Sequence, residues 1–158
     1  MNDNWMNSTS AKELWDGLVS AFPPLKELSA SKPEDEVSFK YRNRHTGGHL
    51  IFRPVGLMMI ISVIRYLMAG GNSLKQAASR VASAPMVLSE QPWSGLLWDT
   101  TNHRMTVSGE NQKVATRILL HGVGGDLTAA NTTAEELRAE WAGIIDQPKS
   151  KVKLPVWH

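Results

Sequence analysis

From residue 55 to residue 68 nearly every position is apolar, and the exceptions, Ser62 and Arg65 with Ala69 beyond them, recur at helical spacing. The pattern predicts a helix enclosed on most sides, with one narrow stripe left for water. Pro54 suits its first turn, where the missing N–H is not needed, and Gly70-Gly71 suits its end. A membrane span takes about 18 or more apolar residues in succession, and this run is interrupted too early. It reads as the core element around which the rest of the chain packs.

Four amphipathic stretches surround it. Ser10 and Glu13 form a capping signature; Leu14, Leu18 and Phe22 then share one face until Pro23-Pro24 stops the ladder, which predicts a helix over 10–22. Asn72 or Ser73 opens a second helix over 73–83, with Leu74, Ala77, Ala78 and Val81 inward. Ser108 opens a third over 109–121, with Val114, Ala115, Ile118 and Leu119 inward and Gly122-Val123-Gly124-Gly125 as its stop. Thr132-Thr133 before Glu135-Glu136 opens the last, whose stripe is Leu137, Trp141, Ile144 and Ile145.

Between these, residues 37–42 alternate apolar and polar with period two, as residues 50–53 do more weakly, and Thr46-Gly47-Gly48 is turn chemistry. A short β-hairpin ahead of the central helix is expected, with 26–36 as a surface loop. Residues 92–99, with Trp93 and Trp98, read as a packed connector whose indole N–H groups find partners in Asp99 or a carbonyl. The fold class is therefore mainly α: a single helical domain of about five helices over 10–146, with a flexible lead-in at 1–9 and a basic Pro/Lys tail at 147–158.

Composition narrows the class without choosing a function. With 158 residues, 42% hydrophobic and 20% charged, the chain has room for one real core. The absence of cysteine removes disulfides, thiolate metal sites and cysteine nucleophiles together. The first residues carry neither a basic n-region nor an apolar h-region, so a cytoplasmic protein with no membrane contact is expected. A net charge of +2 and a pI near 9.0 permit nucleic-acid binding.

The distribution of charge is more telling. Lys40, Arg42, Arg44, His45, His49 and Arg53 crowd into one segment with Tyr41 and Phe52 among them, a mixture suited to phosphate contact and base stacking. The bland alternative is a solvated hairpin whose arginines pair with the acidic loop before it. Lys113, Arg117 and His121, at i, i+4 and i+8, form a second basic line on an exposed helix face. A helix-turn-helix around Gly70-Gly71-Asn72 lacks a following recognition helix and leaves Lys75, Gln76, Ser79 and Arg80 as an ordinary outer face.

Catalytic constellations are weak. His45-x3-His49 spans a Gly-Gly turn without a further ligand, Gly122–Gly125 follows a helix rather than a strand, and no nucleophile elbow is present. Neither a metal nor a cofactor is expected, and a non-catalytic protein is preferred over a small enzyme. Sugar stacking on Trp93 and Trp98 lacks the paired acids that would accompany it.

One family likeness emerges from these motifs. The run from Gly48-His49-Leu50-Ile51-Phe52-Arg53-Pro54 to Leu57, then Pro92-Trp93-Ser94-Gly95-Leu96-Leu97-Trp98-Asp99, then Arg104-Met105, resembles the C-terminal part of DGQHR-domain proteins. These include the DndB-like proteins of DNA phosphorothioation systems. The resemblance covers roughly residues 12–145; the Asp-Gly-Gln-His-Arg motif and the ParB-like half that carries it are absent. It implies a helical regulatory module in bacterial DNA modification, phage defence or their transcriptional control, binding DNA or docking on a DGQHR/ParB-like or other defence-system partner. A pure protein-interaction or oligomerisation module is the competing expectation.

Overall fold

The computed structural model describes residues 10–106 and 108–158. Helices α1 (Ala11–Ala21), α2 (Pro23–Ala30), α3 (Val37–Lys40), α4 (Pro54–Ala69) and α5 (Leu74–Ala82) come first. Strands β1 (Trp98–Asp99) and β2 (Arg104–Met105) follow, paired antiparallel with Trp98 opposite Met105, and then helices α6 (Gly109–Gly122) and α7 (Ala134–Ile144). The expected lead-in at 1–9 lies outside the described residues. Among the described residues no helix is long and apolar enough to cross a membrane.

The mainly α class and the central helix are as the pattern predicts. Met59, Ile60, Val63, Ile64 and Leu67 of α4 are buried, and α4 packs against α5, α6 and the 3-10 turn Leu50–Phe52. Each such side chain contributes about 1.5–3 kcal/mol by leaving water. The water-facing stripe of Ser62, Arg65 and Ala69 extends to Met58, which is 62% exposed. Gly56 is required where the preceding turn folds onto the helix, because a Cβ there would stand 2.0 Å from the Leu50 carbonyl oxygen. Fully buried Ala77 and Ala78 let α5 approach closely.

The helix starts follow their caps. Ser10 Oγ accepts from Glu13 N–H at 3.1 Å and Ser108 Oγ from Asn111 N–H at 3.4 Å. Ser73 with Gln76 and Thr133 with Glu136 form full capping boxes.

Three expectations need correction. Pro23-Pro24 ends α1 but also begins α2: Phe22 is extended, and prolines are at ease in a first helical turn, so part of 26–36 is helix rather than loop. The hairpin expected from 37–42 and 50–53 does not form. Residues 37–40 are one helical turn and 50–52 a 3-10 turn. Over so few residues a period of two and a single turn with one inward side chain cannot be told apart. The ladder expected there is made elsewhere, by Leu50 N–H to Met86 O (2.7 Å) and Leu88 N–H to Gly48 O (3.1 Å), while the two-stranded hairpin lies after α5, at β1 and β2.

The third correction concerns 147–158, which is not a loose tail. Val152 and Leu154 are buried, and Arg138 donates to the carbonyls of Val152 and Lys149, both at 3.1 Å. Trp157 N–H donates to Gly122 O at 2.7 Å, and its ring covers Gly122 so closely that a Cβ there would be 2.3 Å away. The docking relies on isolated side chains with no period, which pattern analysis cannot register. Trp157→Ala is expected to lower stability by an amount at or below the low end of the roughly 3–5 kcal/mol typical of a buried tryptophan. Urea denaturation followed by circular dichroism measures it; an unattached tail gives no change.

Candidate nucleic-acid interface

Loop 42–48 is tied to the hairpin by the Arg53 side chain, beside the direct packing of Gly47 on Trp98. Arg53, the residue that precedes α4, donates through Nε (3.0 Å) and Nη2 (2.8 Å) to the carbonyl of Gly47 and lies over the Trp98 ring at 5.4 Å. Burial, and then the charge of nearby Arg42, push its pKa down. Gly47 and Gly48 both adopt positive φ, 77° and 74°; a Cβ on Gly48 would stand 1.9 Å from the Tyr41 carbonyl oxygen.

Beneath the loop is an aromatic cluster. Tyr41 stacks on Phe52 at 5.2 Å, and the His49 ring meets Phe22, Tyr41 and Phe52 edge-on at 6.2–6.3 Å. His49 Nδ1 accepts from Ile51 N–H at 3.1 Å, and burial pushes its imidazole down to about 4. Tyr41 donates its hydroxyl to Glu27, as does the ammonium of Lys40 at 3.0 Å. Those two bonds hold the Glu27 carboxyl below the usual carboxylate range.

Several expected contacts are therefore spent inside the fold. His49 is neutral and part-buried, Arg53 is the clamp, and Lys40 is paired with Glu27. The rings of Tyr41 and Phe52 cover one another. The second basic line breaks up as well. Arg117, only 11% exposed, donates to Ala130 O at 2.8 Å and lies 3.6 Å from Glu140. His121 is half-buried, its pKa lowered by burial and then by His158, so of the three only Lys113 is an exposed cation without an ion pair among the described residues. Arg80, on the outer face of the rejected helix-turn-helix, donates to Val123 O at the end of α6.

What remains outside is a smaller cluster. Arg42, Arg44 and His45 are exposed, and Arg42 and Arg44 make no ion pair among the described residues. The acidic stretch 34–36 does not neutralise them; Asp35 instead accepts from Lys32 N–H at 2.8 Å. The His45 ring lies edge-on to that of His103, 5.3 Å away, which brings in the turn between β1 and β2 with exposed His103 and Arg104.

His103 and Arg104 were missed because their place depends on a tertiary contact. Trp98 pairs with Met105 and is fixed beneath Arg53, and only that alignment carries the turn to the loop. His103 takes φ 51°, unusual for a residue with a side chain. Asp99 shapes this turn, accepting from Thr101 N–H, Asn102 N–H and Asn102 Nδ2 at 2.8–3.0 Å. It does not serve the indoles: Trp93 Nε1 donates to Pro85 O at 2.8 Å, and buried Trp98 Nε1 has no hydrogen-bond partner among the described residues. Among the described residues no three His, Asp or Glu side chains converge as metal ligands.

No family model, curated protein or solved structure matches the chain.

The aromatic cluster makes stability depend on pH. Because the folded state holds His49 below the roughly 6.5 of a free imidazole, the unfolded chain takes up the proton first. Stability is full above about pH 6.5 and declines as pH falls toward 4, by on the order of 1–3 kcal/mol once residual solvent exposure is discounted. His49→Asn keeps an acceptor for Ile51 N–H without the titration. Urea melts between pH 7.5 and 4.5 are expected to show a shallower decline for that variant.

Proposed function

We propose that this chain is a non-catalytic module that binds nucleic acid through the phosphate backbone, using Arg42, Arg44, His45, His103 and Arg104. The observation that carries the reading is the positive charge of Arg42 and Arg44, left without an ion pair among the described residues although carboxylates are available nearby. Arg42 and Arg44 sit a few residues from Glu34 and Glu36 without pairing to them among the described residues. Guanidinium groups present forked N–H donors that match phosphate oxygens, and the absence of lysine from the cluster favours this use. Placement in cytoplasmic DNA modification or phage defence, with a DGQHR/ParB-like partner, belongs to the same proposal and rests on the sequence motifs alone.

A second reading has one observation in its favour. Pro54, Val55, Met58, Met59 and Ser62 of α4 face Gly109, Gln112, Lys113 and Thr116 of α6 across an open groove of about 430 Å³. Exposed Met58 gives that groove the adaptable apolar lining of a protein-docking surface.

Salt separates the two. Binding of a fluorescent oligonucleotide is expected to weaken steeply between about 50 and 200 mM salt, and Arg42→Ala or Arg44→Ala each to lower the logarithmic slope by about one unit. Neither arginine supports the fold, so melting should stay within about 0.5 kcal/mol of wild type. Anisotropy titrations measure both, and no binding at about 50 mM salt with micromolar protein would reject the proposal in favour of the docking groove.

A further inference from the structure

Phe39 is left unexplained by phosphate contacts. It is 80% exposed, while Val37 beside it is buried and the ring of Tyr41 is stacked on Phe52. Nor does it dangle from a loose loop. Helix α3, which carries it, starts from Glu36 at φ 50° and is secured at its end by Lys40 and Tyr41, both bonded to Glu27. Arg42 follows in the same turn, its N–H donating to Phe39 O at 3.2 Å, so the two Cα atoms lie within about 7 Å.

We infer that this surface takes an unpaired nucleic-acid strand, with Phe39 stacking on a base while the Arg42 and Arg44 guanidiniums hold neighbouring phosphates. The inference rests on the reading of the cationic cluster as a phosphate site. A ring held outward by a rigid turn suits the face of a base, which a duplex keeps covered and a single strand exposes. Every base has such a face, so the contact tolerates sequence. Tyr41 and Phe52 are partly buried, stacked on one another and flanked by His49, and so offer less ring surface than Phe39. Glu34 and Glu36, exposed on the preceding turn, repel phosphate, which favours the arginines as its contacts.

The test compares a labelled single strand of about 20 nucleotides with the matching duplex, a length that exceeds the site size of most single-strand binders. Wild type should prefer the single strand. Phe39→Ala should weaken single-strand binding about 5- to 100-fold, leave duplex binding nearly unchanged and not lower the melting temperature. Phe39→Trp should restore the affinity. If Phe39→Ala binds both forms like wild type while Arg42→Ala and Arg44→Ala weaken both, the stacking inference fails and the phosphate reading survives. If wild type binds neither form, both fail. Binding to phosphatidylserine–phosphatidylcholine vesicles that is lost in Phe39→Ala, with no oligonucleotide binding, would assign the ring to a membrane surface and overturn both.

Discussion

The guanidinium of Arg53 joins three parts of the molecule. It precedes α4, its two donors converge on the Gly47 carbonyl, and its face rests on the Trp98 ring. Through it the start of the central helix, the left-handed loop at Gly47-Gly48 and strand β1 become one unit. A half-buried charge is costly unless its hydrogen bonds are satisfied, and here a carbonyl and an indole face replace water. A lysine would supply one point contact where the planar fork supplies two in fixed directions. With Trp98 held beneath Arg53 and packed against Gly47, the β1–β2 turn comes within ring contact of His45, so the exposed cluster depends on the buried clamp.

That dependence explains what the sequence revealed and what it did not. Helices α4 to α7 were legible because each carries many inward residues at one period and a side-chain cap at its start, or Pro54 in place of one. The boundaries of α6 and α7 fall where Ser108 and Thr133 place them. Segments lacking a period were misjudged. Residues 37–42 offered six alternating positions, but they form a helical turn with Val37 buried and Lys40 and Tyr41 bonded to Glu27. Residues 147–158 offered Val152, Leu154 and Trp157 at irregular intervals, each finding its own contact.

The candidate site was legible as composition and not as geometry. A basic segment at 40–53 is plain in the sequence, but its side chains divide by environment: Arg53 and His49 inward, Lys40 onto Glu27, Arg42, Arg44 and His45 outward. The line Lys113, Arg117, His121 failed for a related reason. The i, i+4 spacing places three residues on one face, but whether that face meets water depends on the neighbouring segments. Here the Leu127–Ala130 turn and α7 cover its middle, giving Arg117 the Ala130 carbonyl and Glu140. Helical geometry also exchanged the aromatic roles. In a strand Val37, Phe39 and Tyr41 would share one face; in a turn Phe39 is carried outward and Tyr41 inward to Glu27.

The surviving cluster differs from the ion pairs elsewhere in the molecule. Four cations find carboxylates among the described residues: Lys40 with Glu27, Arg117 with Glu140, Arg138 and Lys149 with Glu135. At the loop, Arg42 lies close enough to Arg53 to depress its pKa, and His45 lies against His103. The like charges of Arg42 and Arg53, within the roughly 8–10 Å screening length, oppose folding, and Glu34 and Glu36 are near enough in sequence to have relieved them. Arg42 and Arg44 are left without an ion pair among the described residues although Glu34 and Glu36 precede them, a local conflict of the kind that marks candidate functional sites. An anion supplied by a partner would remove the repulsion that the chain itself leaves standing.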